Sequence, residues 1–476
     1  MIRKALSPAR LCPFFLSVCF LFVFTLSLQA QDLPGYNYNN YAGAYGLADN
    51  PANAASSRYA FHFALFGLSV NAGNNGYQFS KSKLMSFQFN NLTEGVDYFK
   101  LDDGKPKSFW LNAAVLGPSF LIRLNKISGL GFFTRVRALG NEDNLSNSVF
   151  NLLGESNANY YNQDFIEHNL RAGFHSFGEG GLTYGRVLWQ DGTHVLQAGI
   201  TLKYLVGIAA GRLFSNNLRV NLQSDTVINK LDGDGSLQYS GNGDLKSGNN
   251  GGNNSFFKNL GGGNGNSSIG LDLGVAYEWR PEGSAGGSGG KHTIPYKIRL
   301  ALSVTDIGAI RYHSSTGGAY NIDADGQTAS TLNPQNGESL PQFIDRLKGM
   351  GILTGNTDTT GTFKAALPTA ARFNLDWHLA RKFFLNFYGL INLLSLSNQA
   401  NMANYTSTFF VTPRMETRML SIASPFSYNS HDQFNWGFSI KAGPLLLGSS
   451  SLLSNLVKQR IGNTDVYMGL SIGFGK

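Results

Sequence analysis

Few side chains in this chain have the spacing that catalysis or metal binding requires. The eight histidines are dispersed, with no His-Glu-x-x-His run and no paired spacing suited to zinc. The run Asp232-Gly233-Asp234-Gly235 resembles part of a calcium-binding loop, but the closing Glu of an EF-hand is missing, and a flexible turn is the simpler interpretation. Nucleophile-elbow, P-loop and dinucleotide-binding motifs are also missing. The pattern favours a protein that is not an enzyme, with no catalytic residues, no metal and no cofactor.

A larger set of charged residues follows the period of β-strands. In the stretch Ile269 to Arg280, apolar side chains alternate with small or charged ones, so Asp272 and Glu278 lie on the face opposite Trp279. Lys203 occupies the same kind of face in another stretch. A face of mixed charges suits the binding of a polar ligand group, and equally a hydrated lining without a ligand. The candidate residues on such faces are Arg135, Arg137, Lys203, Asp272, Glu278, Arg299, Arg372, Asp376 and His378.

Long alternating strands are the elements that place these charges on one face. Strands of about 9–11 residues with this alternation are typical of membrane-spanning β-barrels, in which a lipid-facing charge at the midplane costs about 2–4 kcal/mol. A soluble β-sandwich would show shorter strands at closer spacing. We therefore predict an all-β fold, a transmembrane antiparallel β-barrel of about 14 strands with an N-terminal luminal segment. Besides Ile269 to Arg280, strands are predicted near residues 58–70, 77–89, 108–124, 130–137, 168–177, 181–189, 196–206, 211–222, 298–304, 372–379, 383–393, 407–416, 434–443 and 465–474.

The first 30 residues have the composition of a secretion signal. Basic Arg3 and Lys4 precede an almost entirely apolar run from Leu11 to Leu28, and Ala30 ends a cleavage-like Leu-Gln-Ala sequence. We expect residues 1–30 to be removed, so that the mature chain begins at Gln31. The alternative, a retained membrane helix, is disfavoured by the extreme N-terminal position of the run.

Composition agrees with an exported barrel. Charged residues make up 14% of the chain, against about 25% in soluble domains. The net charge of +8 is mild for 476 residues, and no cluster of Lys or Arg indicates nucleic acid as a partner. Both cysteines, Cys12 and Cys19, lie in the predicted signal, so we expect a mature chain without disulfides. These features predict location in the cell outer membrane, with its lipid as a partner.

A polar segment, residues 31–57, precedes the predicted barrel of residues 58–476. Pro51 cannot continue a strand, and Asn50 before it favours a turn. A polar segment of this length in front of a barrel can fold into the lumen. We predict that residues 31–57 form a plug-like segment whose gate consists of Asn50, Pro51, Ala52 and Asn53.

The connections between predicted strands are unequal in length. Asp232 to Asn266 is rich in Gly, Asn and Asp, and Arg280 to Thr293 has a similar composition, so both are predicted as mobile outer loops. Apolar residues with helical spacing predict a short helix from Leu340 to Ile352, which caps a long loop or partly plugs the barrel mouth. A second short helix is predicted from Ser451 to Gln459.

Several short landmarks resemble known groups of barrels. Asn50-Pro51-Ala52 before the first strand resembles the N-terminal signature of FadL-like fatty-acid-transporter barrels, whose superfamily includes type IX secretion-associated barrels. The chain is more similar still to a Bacteroidota family of outer-membrane barrels of unknown function. The stretches that carry this second resemblance are Leu302 to Gly308, Leu367 to Arg372, Gly443-Pro444 and Asp465 to Leu470.

Two features depart from this resemblance. Outer-membrane barrels commonly end on an aromatic residue, whereas Phe474 is followed by Gly475 and Lys476. Some relatives carry a C-terminal peptidoglycan-binding domain, and cell-wall anchoring is not expected for this chain. The resemblance implies an outer-membrane barrel with a luminal N-terminal segment that passes hydrophobic molecules.

The leading functional hypothesis is passive, FadL-like passage of small hydrophobic molecules, with a hydrophobic small molecule as ligand. In that hypothesis Arg372 and Asp376 orient a polar headgroup. The alternative is a non-transporting envelope scaffold or secretion-associated barrel, which binds envelope protein partners through its loops. Substrate identity, lumen opening and oligomeric state do not follow from the sequence.

Overall fold

A computed structural model shows that the strands of the chain close into one ring. The predicted signal, residues 1–30, lies outside the described residues. The structure describes residues 33–475 except 87–91, 153–157, 225, 242–265, 282–295, 334, 336–337, 339, 356–360, 395–400 and 402.

The ring has 14 antiparallel strand positions, which confirms the predicted fold class. The first position pairs with the last, from Phe61 opposite Phe474 to Gly73 opposite Asn463, so the sheet has no free edge there. Some positions are filled by two strand segments that follow one another along the chain. The positions are β1 (Phe61–Asn74), β2 (Lys107–Leu116 and Ser119–Arg123), β3 (Ser128–Leu145), β4 (Leu170–Gln190), β5 (His194–Ser215), β6 (Val227–Gly241 and Ser267–Trp279), β7 (Ile298–Asp323), β8 (Gly361–Ala366 and Ala370–Ala380), β9 (Phe383–Asn392), β10 (Thr408–Glu416), β11 (Leu420–Ala423 and Phe426–Asn429), β12 (Phe434–Trp436 and Phe438–Ala442), β13 (Leu445–Ser449) and β14 (Asn463–Phe474).

The two ends of the ring differ in their connections. At one end, the turn end, most neighbouring strands are joined by tight turns such as Arg381–Lys382 between β8 and β9. The longer connection from Arg280 to Lys297, between β6 and β7, is also at this end, so the stretch from Arg280 to Thr293, predicted as an outer loop, belongs to the turn end, and most of it lies outside the described residues. At the other, the loop end, the connections contain further short elements. These are strands Tyr77–Ser80, Tyr98–Lys100, Phe165–Glu167, Leu218–Ser224, Leu353–Thr354 and Arg460–Ile461, α-helices Lys81–Ser86, Asn147–Leu152, Leu340–Gly349 and Leu452–Val457, and 3-10 helices Ala158–Tyr160 and Ala329–Leu332.

The period of two decides which side chains enter the ring. On β5, Ile200 is 46% exposed on the outside, whereas the next residue, Thr201, is fully buried inside. The same holds for exposed Leu202 and buried Lys203. Along this part of β5 the outer side chains are therefore apolar and the inner ones polar, as expected of a barrel in lipid, which has an apolar outer band. No helix in the described ranges is long and apolar enough to cross a membrane.

Two strand predictions differ from the structure near glycine-rich stretches. Residues 168–177 and 181–189 form the single strand β4, because the ladder with β3 continues through Gly178–Gly181 without interruption. Asp232 to Gly241 was predicted as a loop but forms part of β6 and pairs with β7. The polar composition of this stretch indicated a loop. It is nevertheless compatible with a strand, because β6 and β7 extend here past the apolar band. The rest of that predicted loop lies almost wholly outside the described residues.

Local elements at the loop end also differ in part. The predicted strand 77–89 ends at Ser80 and continues as helix Lys81–Ser86. The helix predicted from Leu340 to Ile352 spans Leu340–Gly349, and Phe343 and Leu347 bury their side chains in a hydrophobic cluster beside the connections. It covers the loop end rather than entering the lumen.

A charge placed on the apolar band tests the membrane position of the ring. We expect Ile200→Lys to lower the free energy of unfolding by about 2–4 kcal/mol, because its side chain faces lipid in the middle of the outward apolar run from Leu196 to Tyr204. Leu188→Lys, on the same outer surface near the turn end, is the control and should cost about 0–1 kcal/mol. The measurement is urea unfolding of the protein folded into lipid vesicles. Equal losses would contradict the assigned depth.

Candidate functional site

Residues 33–57 lie inside the ring, in its turn-end half. Tyr38 approaches Thr412 of β10 with 3.3 Å between the hydroxyl oxygens, and Asn39 donates to Ser421 of β11 at 2.7 Å. On the far side, the Tyr45 hydroxyl donates to the Phe66 carbonyl of β1 at 2.7 Å. The segment therefore touches opposite parts of the wall and crosses the lumen.

Tyrosines give this segment its bulk. Tyr36, Tyr38, Tyr41 and Tyr45 are all buried. Burial raises the pKa of Tyr38 to about 12 and also raises the pKa values of Tyr36 and Tyr41. Their hydroxyl groups stay protonated at neutral pH, so the tyrosines fill space without adding charge.

The Asn-Pro-Ala turn continues into a short 3-10 helix, Pro51–Ala54, and its sequence suits the start of that helix. Asn50 has extended backbone angles (φ −151°, ψ 116°) and its side-chain oxygen accepts from the Ala52 amide at 2.8 Å. Pro51 occupies the first helical position, where no backbone donor is needed. The Asn50 side-chain nitrogen donates to the carbonyls of Val275 at 3.2 Å and Leu302 at 3.0 Å. One asparagine thus both caps the turn and holds it to β6 and β7.

A row of glycines in the wall receives this turn. Gly129, Gly185, Gly199 and Gly274 lie directly opposite one another on β3, β4, β5 and β6. A Cβ on Gly274 would lie 2.1 Å from the Asn50 side-chain oxygen, and one on Gly199 would lie 2.3 Å from the Pro51 carbonyl carbon. Only glycine leaves room for the turn at these positions. Sequence reasoning missed the row, since the register that aligns the glycines is not visible in one sequence.

Asp49 ties the segment to β8 and β9, the strands that follow β7 around the ring. Its carboxylate accepts from Arg372 at 2.6 Å and from the Tyr388 hydroxyl at 2.9 Å. Its backbone carbonyl accepts from Ser303 at 2.6 Å. The predicted lumen residue Arg372 is thereby placed against the segment, where it neutralises Asp49.

Above the turn, a cluster of ion pairs spans the lumen, and we name it the central ion cluster: Arg135, Arg137, Lys203, Glu179, Asp272 and Asp306. Lys203 lies 2.7 Å from Asp306 and 2.8 Å from Asp272, and Arg135 pairs with Glu179. All six residues are buried, with three cations matched by three carboxylates. Removing one partner of such a pair costs about 3–5 kcal/mol, because the other charge stays buried.

Asp306 occupies the centre of the cluster in an unusual backbone conformation. Its φ is +62°, in the left-handed region, at a bulge where the β6–β7 register shifts. Its carboxylate accepts from Arg137 at 2.8 Å, and its amide donates to Asp272 at 2.6 Å. The strained backbone therefore persists where four charged groups meet.

A second segment enters the lumen from the loop end. Residues 403–406, between β9 and β10, are buried, and the Asn404 amide donates to the Asn141 side chain at 2.9 Å. The Tyr405 hydroxyl donates to Asp306 at 3.2 Å and accepts from Arg137. The segment from the loop end therefore reaches the central ion cluster.

An apolar layer surrounds Tyr405 in the loop-end half of the lumen. Its members are buried inward-facing side chains of several strands, together with the two entering segments. They include Tyr38, Leu139, Phe177, Leu205, Ala210, Ile310, Tyr312, Phe363, Leu367, Tyr388, Leu390, Ala403, Tyr405 and Phe410.

The other predicted lumen residues form two smaller groups near the turn end. Asp376 pairs with both terminal nitrogens of Arg414, at 2.6 and 2.7 Å. Arg299 donates to Asn53 at 2.8 Å and lies 3.5 Å from Glu278. The contact of Arg299 with Asn53 joins the wall to the N-terminal segment, whereas the other pairs lie within the wall.

His378 stands apart from the inner-face charges with which it was grouped. It is half-buried at the end of β8, with its ring nitrogens 3.1 Å from the Tyr296 carbonyl and 3.0 Å from the Arg381 carbonyl. It stacks on Phe384 with 4.5 Å between ring centroids. These contacts order the turn beside it. In the described part of the chain, no group of His, Cys, Asp or Glu is arranged to hold a metal ion.

A side chain at the glycine row should displace the turn. We expect Gly199→Ala to make a cysteine at Ala52 react with a soluble maleimide about tenfold faster, because overpacking costs about 1–3 kcal/mol. Gly180→Ala on β4, where a Cβ would meet no atom closer than 3.9 Å, is the matched control. Equal labelling rates in the two backgrounds would show that the row does not position the turn.

The Tyr405 hydroxyl should hold the segment that enters from the loop end. We expect Tyr405→Phe to cost about 1–3 kcal/mol, since it leaves buried charged groups short of a hydrogen bond. Hydrogen exchange at the Asn404 amide should accelerate, whereas Tyr184→Phe on the outer surface should leave it unchanged. Unaltered exchange in Tyr405→Phe would contradict this anchoring role.

Comparison with known proteins gives a family for the chain. No protein of curated function matches the chain. The crystal structure of a Pseudomonas aeruginosa FadL homologue is 10% identical and has a TM-score of 0.42, covering 94% of this chain and 100% of that one. The Ralstonia pickettii toluene transporter TbuX is 11% identical (TM-score 0.42, 95% and 100% covered), and the Pseudomonas putida toluene transporter TodX is 9% identical (TM-score 0.40, 94% and 97% covered).

A family model covers most of the sequence, from residue 51 to residue 450, and its description is "family of unknown function". The match begins at Pro51 of the Asn-Pro-Ala turn and runs through β13. The chain therefore belongs to the family of unknown function DUF5723.

Proposed function

We propose that this protein is an outer-membrane channel for the passive passage of small hydrophobic molecules, exported by its N-terminal signal and gated by residues 31–57. The observation that carries the proposal is the way the lumen is closed. A separate chain segment fills the turn-end half, held by a few hydrogen bonds and ion pairs to the wall. A closure of this kind can move without unfolding the ring.

The chemistry of the lumen supports a hydrophobic passenger. The loop-end half contains the apolar layer around Tyr405. An uncharged molecule makes dispersion contacts in such a layer, and its transfer from water costs little free energy of hydration. Charged solutes would meet the central ion cluster, whose charges already compensate one another. We infer that polar solutes are excluded in the closed state.

Gating in this proposal begins at the bonds between the Asn-Pro-Ala turn and the wall. Asn50, Asp49 and Asn53 each form one set of contacts, to β6–β7, to Arg372 and to Arg299 respectively. Arg372 and Asp376 were expected to orient a ligand headgroup. Because Arg372 pairs with Asp49 of the N-terminal segment, we assign Arg372 instead to holding the closed state, whereas Asp376 pairs with Arg414 within the wall.

The scaffold alternative is favoured by one specific observation, the compensated central ion cluster. Three cations and three carboxylates cross the lumen and contact Tyr405 above them. A ring filled in this way is a stable platform for partner-binding loops even without transport. The channel and the scaffold differ in how passage through the lumen responds when the contacts of the N-terminal segment are lost. Passage increases in a channel and does not change in a scaffold.

Flux through vesicles separates these functions. We expect the double variant Asp49→Ala/Asn50→Ala to raise entry of an uncharged aromatic dye about tenfold or more, since hydrogen bonds that involve charged groups are worth about 1.5–3 kcal/mol each. Deletion of Asn50–Asn53 should have a larger effect. Ser56→Ala, in the same segment but without a strand contact in its side chain, is the control.

The passenger class is tested in the same vesicles with a sugar of similar mass. Preferential passage of the dye supports a hydrophobic channel. If neither variant changes the entry of dye or sugar, and the folded protein co-purifies with envelope proteins, the scaffold function replaces the proposed one.

A further inference from the structure

A cavity outside the lumen lies at the loop end, on the outer flank of the ring. It has a volume of about 490 Å³ and is lined by Ser80, Lys81, Ser82, Phe99, Gln459 and Arg460. A small three-stranded sheet forms it, in which Tyr77–Ser80 pairs with both Tyr98–Lys100 and Arg460–Ile461. The cavity takes no part in the contacts of the N-terminal segment.

Two cations, Lys81 and Arg460, line this cavity, and a third, Lys458, precedes the lining residue Gln459 in the chain. The Arg460 guanidinium lies 3.6 Å from the centre of the Phe99 ring, which fixes its plane at the cavity wall. Lys81 donates to the Leu456 carbonyl at 2.6 Å, and Lys458 donates to the Phe434 carbonyl at 3.2 Å. Each ammonium group keeps further donors. Within the described residues, none of the three forms an ion pair with a carboxylate.

The helix beside the cavity, Leu452–Val457, exposes apolar side chains. Leu452 is 42% exposed, Leu456 55% and Val457 74%. In a six-residue helix this is a large share of the surface, and it lies next to the cations rather than against the protein.

This apolar helix adjoins the aromatic edge of the outer band. The Trp436 amide donates to Ser454 at 2.7 Å, so the helix is fixed to β12. Phe434 is 54% exposed and Trp436 39%, and Trp436 stacks on Phe426 with 5.7 Å between ring centroids. Aromatic rings at this depth mark the interface between hydrocarbon and headgroups in membrane barrels.

We propose that this flank is a binding site for a lipid with a phosphate headgroup in the membrane leaflet at the loop end. The phosphate contacts Lys81, Lys458 and Arg460, while an acyl chain lies along Leu456 and Val457. Charge complementarity selects an anionic headgroup, since Lys81 and Arg460 line one cavity, Lys458 adjoins its lining residue Gln459 in the chain, and none of the three forms an ion pair with a described carboxylate. Continuity of the helix with the aromatic edge selects a lipid, because only an amphiphile contacts both surfaces at once.

The test uses detergent-purified protein and native mass spectrometry with defined lipids. We expect phosphatidylglycerol to bind more tightly than phosphatidylcholine with the same acyl chains. The variant Lys81→Gln/Lys458→Gln/Arg460→Gln should lose about a hundredfold in affinity for phosphatidylglycerol, given the worth of a cation near an anionic surface. The matched control, Lys126→Gln/Arg186→Gln/Lys382→Gln, changes three exposed cations at the turn end and should stay within about twofold of the parent.

Two further arms make the test decisive. Leu456→Asn/Val457→Asn should weaken phosphatidylglycerol while leaving the binding of inorganic phosphate unchanged. Inorganic phosphate at the same concentration should not displace the lipid. The proposal is overturned if the cation and control variants lose affinity equally, or if inorganic phosphate competes as an equal. Correct folding of each variant is checked by its heat-dependent electrophoretic mobility, so loss of the ring is not mistaken for loss of the site.

Discussion

Charges removed from water inside the ring must compensate one another, and the packing of the lumen depends on that constraint. Asp306 shows it most clearly, because two cations and the Tyr405 hydroxyl converge on its carboxylate. The same requirement pairs Asp49 of the N-terminal segment with Arg372 of the wall. The need to compensate buried charges therefore determines where both entering segments lie. Asp49 of one segment pairs with Arg372, and the Tyr405 hydroxyl of the other donates to Asp306.

The sheet period alone predicts much of this arrangement. Alternation in β5 and β6 placed Lys203 and Asp272 inside and Ile200 outside, and the ring of 14 positions follows from repeating that pattern. A proline after an asparagine predicted the turn at Asn50, which the structure finds against β6 and β7. These features are local: a few neighbouring residues carry the whole signal.

What the sequence did not reveal depends on register. Arg414 lies on a predicted strand and Glu179 lies between two predicted strands, and nothing local shows that they meet Asp376 and Arg135 across the sheet. Tyr405 belongs to a connection, where no periodicity predicts entry into the lumen. β6 consists of two segments, Val227–Gly241 and Ser267–Trp279, which both pair with β5 and fill one position of the ring. In the sequence, the two segments look like separate elements.

Closure of the ring pairs its first strand with its last, and this pairing affects the order of folding. Phe61 pairs with Phe474, so the β1–β14 ladder has the longest sequence separation in the sheet and the highest entropic cost of closure. Residues 33–57 directly precede β1 and are therefore tethered to one edge of the sheet while it is still open. We expect the sheet to curl around this segment, so that residues 33–57 are already enclosed when β1 finally pairs with β14.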